Sequence, residues 1–312
     1  KQELSILNFR ALTGIINLRR CAMEGVILMA TVQREYKDHL FNFLFGSEEN
    51  KAWTLSLYNA VNGTDYTDPD LVQINTIREV LYVGMHNDTS FLLKDDMNLF
   101  EQQSSYNPNM PLRMMQYASL LYEKYISEND LNKFGSELLK LPVPKLIVFY
   151  NGEKDAEDET GLRLSDSFPE GSKSDIEVTV RMININHGRN HRLLDACEPL
   201  KEYSWLMQEI RTNRKTMDIE DAVRQAMADM PTDYVIRPFL DAHRMEVSSM
   251  LLTEYNEVET MKRFEKDGER KGSYKTLANL VKKGRITVEE AAEEAKMTVS
   301  EFEKQVLGLV PA

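Results

Sequence analysis

Asp88, Glu101 and Gln103 are the residues of this chain best spaced for chemistry: a carboxylate just past one apolar run, then a carboxylate and an amide two positions apart on the next. Mg²⁺ is a hard cation that takes oxygen ligands, commonly one or two carboxylates with waters and a substrate phosphate, so Asp88 with Glu101 suffices in kind. A metal held there lowers the pKa of a bound water and clamps the oxygens of a phosphodiester. Spacing alone leaves plainer readings open, since an Asn-Asp turn is commonly an Asx turn and a strand glutamate commonly faces solvent.

The elements that must position these groups follow from periodicity. Val80-Leu81-Tyr82-Val83 predicts a strand over 79–84, and His86-Asn87-Asp88-Thr89-Ser90 a polar turn, which sets Asp88 where a strand gives way to a bend. Residues 98–104 are predicted extended, and alternation then puts Leu99, Glu101 and Gln103 on one face. Further strands are predicted over 91–94, 145–150 and 176–185, and helices over 36–45, 51–61 and 112–125. Arg113, after Asn109-Met110-Pro111 at a helix start, could hold DNA phosphate or a site carboxylate, or simply form a structural salt bridge. Gln116 and Tyr117 on the same helix either project towards the site or pack in the core, whereas Met110, Met114, Met115 and Tyr122 read as core.

Taken in order, these segments resemble a known family. Met85-His86-Asn87-Asp88-Thr89-Ser90-Phe91 followed by Leu99-Phe100-Glu101-Gln102-Gln103-Ser104-Ser105-Tyr106-Asn107-Pro108-Asn109-Met110-Pro111-Leu112-Arg113 is similar to the bacterial PD-(D/E)XK nuclease family transposases, relatives of the recombination-promoting nucleases. The resemblance begins at Tyr36-Lys37-Asp38-His39-Leu40-Phe41 and Leu44-Phe45-Gly46. It continues through Tyr150-Asn151-Gly152, Asn184-Ile185-Asn186, Cys197-Glu198-Pro199-Leu200-Lys201-Glu202-Tyr203-Ser204 and Leu251-Leu252-Thr253-Glu254-Tyr255, covering residues 30–270. It implies an α/β fold with a restriction-endonuclease-like mixed sheet flanked by helices, and Mg²⁺-dependent DNA cleavage in recombination or mobile elements, with Mn²⁺ as a substitute metal. Asp88 and Glu101 then take the places of the family's metal-binding acids, Gln103 that of its Lys, and Asp38 that of an acid on the first helix. Gln103 is the departure: a Lys places positive charge near water and phosphate, whereas Gln offers a neutral amide. A second reading is therefore a catalytically inactive DNA-binding or protein-interaction remnant of the same fold.

Composition bounds the setting. With 312 residues, 42% of them hydrophobic, the chain can bury a large core in one or two domains. Its apolar runs, such as Leu146-Ile147-Val148-Phe149-Tyr150, are too short to cross a bilayer. Cys21 and Cys197 stand far apart without a CxxC, which fits a reducing compartment, and the cytoplasm is the expected location. The net charge of −12 opposes DNA binding as a whole, so a local basic patch is required. Lys262, Arg263, Lys266, Arg270, Lys271, Lys275, Lys282, Lys283 and Arg285 form such a stretch. Lys271 and Lys275 are the expected contacts of a DNA-binding arm, with a solvated helix face the equal alternative. The expected partners are DNA and, in a homodimer, a second copy of the chain.

Four segments are expected: an N-terminal extension over 1–28, read either as an added helix or as sequence upstream of a start near Met29; the nuclease-like core over 29–215; a helical region over 216–270; and a short helical tail over 271–312. One long helix is expected over 234–264, with the composition shifting after Asp267-Gly268 and Gly272 preceding short helices. Thr287 with Glu290 and Thr298 with Glu301 read as capping boxes of two short helices, a helix-turn-helix shape serving DNA reading, packing or dimerisation. His187 and His191 have a metal-pair spacing, but Gly188 and Asn190 point to a loop, and phosphate-loop, dinucleotide and nucleophile-elbow motifs are absent.

Overall fold

A computed structural model describes residues 40–75 and 89–309. Asp38, Asp88, the strand expected over 79–84 and the start of the helix expected over 36–45 lie outside the described residues. So does the segment 1–28. From α1 (Leu40–Phe45) and α2 (Lys51–Asn62) the chain enters a six-stranded sheet built of β1 (Val72–Ile74), β2 (Thr89–Leu93), β3 (Asp96–Gln103), β4 (Val143–Tyr150), β5 (Glu159–Arg163) and β6 (Thr179–Asn184). Helix α3 (Met110–Glu128) crosses from β3 to β4. The helical remainder comprises α4 (His191–Ala196), α5 (Glu198–Asn213), α6 (Ile219–Asp229), α7 (Arg237–Ala242), α8 (Arg244–Lys282), α9 (Val288–Glu294) and α10 (Val299–Gln305). This is a mixed α/β sheet with flanking helices and a helical C-terminal region.

The sheet order is β1-β2-β3-β4-β6-β5. β3, β4 and β6 run parallel, while β1-β2, β2-β3 and β6-β5 pair antiparallel. Both faces of the central strands are buried. On one, Met97, Leu99, Val148, Val180 and Met182 pack against Met110, Met114, Tyr117 and Leu121 of α3. On the other, a chain of rings joins Phe91, Phe100, Phe149, Phe41 and Tyr203, with centroids 5.1–5.8 Å apart and mostly edge-on, the arrangement that aromatic quadrupoles favour. This apolar support is why strands with few polar alternations still hold one register.

Cys197, at the N-cap of α5, is fully buried, and the Ser56 hydroxyl of α2 donates to its sulfur at 3.6 Å. Burial pushes its thiol up to about 11. Glu202 of α5, 3% exposed, accepts the backbone N–H groups of Val235 and Ile236, both at 2.9 Å, just before α7. Desolvation holds the Glu202 carboxyl above its ordinary range despite those bonds. A folded-state pKa raised above the unfolded one means that stability is greatest below the ordinary carboxylate range and declines as pH rises through the folded-state value. Glu202→Gln should remove this slope. Denaturant melts from about pH 4.5 to about pH 8 are expected to show the variant gaining on the wild type as pH rises, and parallel curves would contradict it.

The chain divides into two compact units, one ending at Glu254 and one beginning at Tyr255. Within the second, Leu277, Ala278, Ala291, Ala292, Phe302 and Val306 form a small core, and both capping boxes are present, at Thr287/Glu290 and Thr298/Glu301. Three expectations need correction. Thr89 and Ser90, read as the end of a polar turn, instead open β2, where pairing with Phe100 and Leu99 of β3 supplies the backbone bonds. The long helix expected over 234–264 is two, since α7 stops at Ala242 and α8 begins at Arg244. α8 then runs through Gly268 and Gly272 to Lys282, the glycines' helix cost of about 1 kcal/mol each being outweighed by the 39-residue helix around them. Among the described residues no helix is long and apolar enough to cross a membrane.

Candidate functional site

The carboxyl ends of β3, β4 and β6 lie together, because these three strands are parallel, and β2 begins at the same end because it is antiparallel to β3. Crevices outside the carboxyl ends of parallel strands are where open α/β sheets bind ligands. Glu101 and Gln103 occupy the last turn of the pleat in β3, opposite Val148 and Tyr150 of β4. Thr89, the first residue of β2, pairs with Phe100, and Asp88 is the residue that precedes Thr89 in the chain.

Glu101 is 3% exposed on the α3 side of the sheet. A buried carboxylate needs a partner, and α3 supplies one: Arg113 Nη2 lies 2.5 Å from Glu101 Oε1. Arg113 also donates to the Tyr117 hydroxyl, at 3.3 Å from Nε and 2.8 Å from Nη2. The i, i+4 spacing of Arg113 and Tyr117 places both on the helix face that covers β3. The structure therefore gives Arg113 an ion pair with Glu101, which serves a site carboxylate and a structural salt bridge alike. Gln103 is half-buried beyond Glu101, and Gln116 is exposed on α3. Lys271 and Lys275 are exposed on α8, in the second unit.

The opposite face carries polar groups not picked out by their spacing. Gln102, between Glu101 and Gln103, donates to Asn151 Oδ1 at 2.6 Å, and Asn151 donates to the Tyr203 hydroxyl at 3.2 Å. Beyond β6, Asn186 donates to the Gly152 carbonyl and to Asn184 Oδ1, each at 3.0 Å, and accepts from Arg211 Nη1 at 2.7 Å. The backbone closes the same end: Asn151 N–H bonds Gln103 O at 3.0 Å, and Ile185 N–H bonds Tyr150 O at 2.8 Å. Four short polar runs distant in sequence thus meet at one edge. Their only signal in the sequence is the repeated Asn in Asn151-Gly152 and Asn184-Ile185-Asn186.

Among the described residues no group of three or more His, Cys, Asp or Glu side chains could hold a metal ion. Glu101 brings one buried carboxylate to this end of β3, an oxygen donor suited in kind to Mg²⁺ or Mn²⁺, and Gln103 lies on the same strand face. His187 lies in the loop before α4 and His191 begins that helix, after Gly188 and Asn190 at positive φ. Comparison with protein-family models, with curated proteins and with solved structures finds no match to this chain.

Proposed function

We propose that the chain is a metal-dependent DNA endonuclease that hydrolyses phosphodiester bonds, in the manner of the PD-(D/E)XK transposases and recombination-promoting nucleases that its sequence resembles. The observation that carries the reading is Glu101, a carboxylate kept buried near the end of β3, with Gln103 on its face and β2 starting alongside directly after Asp88. Asp88 and Glu101 would hold Mg²⁺, which supplies a Lewis acid for the phosphate and a more acidic bound water. Arg113, itself bonded to the Tyr117 hydroxyl, fixes the Glu101 carboxylate, and Gln103 orients water or a phosphate oxygen by hydrogen bonds. Asp38 adds a further acid. Water's oxygen forms the new bond to phosphorus and gives up a proton to solvent, the bond to the leaving sugar oxygen breaks, and that oxygen takes up a proton from solvent. Gln116, Lys271 and Lys275 are exposed and available to DNA. The reaction is assigned to the cytoplasm.

One observation favours the second reading, a catalytically inactive remnant that binds DNA or protein: Oε1 of Glu101 is engaged by Arg113 at 2.5 Å, and a metal would have to share that carboxylate. Supercoiled plasmid incubated with the purified protein in Mg²⁺, Mn²⁺ or EDTA separates the two. Metal-dependent nicking or linearisation that disappears in Asp88→Ala is the expected result. Intact plasmid with folded wild type in both metals would leave the remnant reading.

A further inference from the structure

Gln103 leaves the site without the cation that usually faces a phosphate, yet a guanidinium reaches the same edge of the sheet from α5. Arg211 lies in the last turn of that helix and is half-buried, with Nη1 donating to Asn186 Oδ1 at 2.7 Å. Asn186 is held in turn by its bonds to Gly152 O and Asn184 Oδ1, so the amide that orients the arginine is fixed by the exits of both β4 and β6. Among the described residues no carboxylate pairs with Arg211, whereas Arg113, Arg181 and Arg189 are paired with Glu101, Glu159 and Asp155. Burial pushes up the phenol of Tyr150, the register partner of Gln103, and its hydrogen bond to Lys154 O and then the Arg211 charge oppose that push. Glu153 and Asp155 act on the same phenol in the other direction, and Asp155 is already committed to Arg189.

We propose that Arg211 is a phosphate-binding residue of this edge: held by Asn186 at the carboxyl ends of β4 and β6, it gives a DNA phosphate the positive charge that the Gln103 amide lacks. A half-buried guanidinium positioned by a neutral amide keeps its charge available, and its planar fork suits phosphate oxygens better than an ammonium does. In a chain of net charge −12, one such cation outside any ion pair matters more than it would in a basic protein. The inference rests on the nuclease reading for its substrate class, but its test does not need cleavage.

The test is anisotropy of a fluorescein-labelled duplex of about 20 base pairs, in EDTA over a series of salt concentrations, with wild type, Arg211→Gln, Arg211→Lys and Asn186→Ala. Arg211→Gln should weaken binding roughly tenfold and lower the salt slope by about one, because one phosphate contact is lost. Arg211→Lys, which keeps the charge and a donor for Asn186, should keep the slope; Asn186→Ala, which frees the arginine, should weaken binding less than Arg211→Gln. Binding by Arg211→Gln with the wild-type slope, or equal loss in Arg211→Lys and Arg211→Gln, would overturn the proposal and leave a structural staple between α5 and β6. No binding by wild type would overturn it too. Plasmid cleavage in Mg²⁺, scored separately, decides the nuclease reading: wild type that binds without cutting refutes that reading while the Arg211 result stands.

Discussion

Glu101→Gln is expected to reduce metal-dependent plasmid cleavage by at least about a thousandfold while changing folding stability by no more than about 1 kcal/mol. The two halves of this result come from different properties of one side chain. A neutral amide oxygen lacks the negative charge with which a carboxylate holds Mg²⁺ beside a phosphate, so the chemistry is lost. The same amide still offers an oxygen to Arg113 and Tyr117 remains beside it, while Arg113, with its side chain 33% exposed, can be solvated once its charge partner is gone. Arg113→Ala is the reverse case. It strands a carboxylate that is only 3% exposed, and should cost about 3 kcal/mol, the lower end for breaking a buried ion pair because Arg113 is partly in water. Denaturant melts of both single variants and the double variant should show a coupling of about 1–2 kcal/mol. Cleavage that persists in Glu101→Gln would remove Glu101 from the site, and additive melts would show that the ion pair does not hold it.

Gly152→Ala should destabilise the first unit by about 3 kcal/mol, at the upper end for overpacking, because no flexible neighbour alone can yield. A Cβ at Gly152 would fall 2.5 Å from the Ser104 carbonyl oxygen and 2.5 Å from the Tyr150 hydroxyl. One of these is backbone at the exit of β3, and the other is a phenol donating to Lys154 O at 2.8 Å from within the core facing α3. Relief therefore requires the exits of β3 and β4 to move apart, which also disturbs the Asn186 bond to Gly152 O and, through it, the seat of Arg211. Thermal unfolding followed by circular dichroism measures the loss. A melting temperature equal to the wild type would show that the two exits separate freely.

How much of this was legible in the sequence depends on whether the deciding forces are local. β3 could be read because Leu99, Glu101 and Gln103 alternate with Asn98, Phe100 and Gln102, and the structure puts Leu99 and Glu101 on the α3 side. The capping boxes could be read because their bonds close within four residues. β5 could not, since Glu159-Thr160-Gly161-Leu162-Arg163 has one buried apolar residue and sits in an acid-rich stretch; its pairing with β6 supplies the structure. β1, three residues long, carries too little pattern to register. For the site, sequence left Arg113 a DNA phosphate, a site carboxylate or a structural salt bridge, and only the packing of α3 over β3 shows that its partner is Glu101. The Arg211–Asn186 bond spans 25 positions and depends on the last turn of α5 meeting the exit of β6, which no local pattern encodes.

The seating of Cys197 between α2 and α5 has a kinetic meaning. Thiolates, not thiols, react with alkylating agents, and a sulfur that is fully buried with its pKa near 11 presents almost none at neutral pH. Modification of Cys197 must wait until α2 and the start of α5 part, so the rate of alkylation, in a chain whose Cys21 has been changed to Ser, counts those partings one by one. The residue acts as a built-in clock for the excursions of the sheet's helical cover, readable by mass spectrometry without adding any probe to the protein.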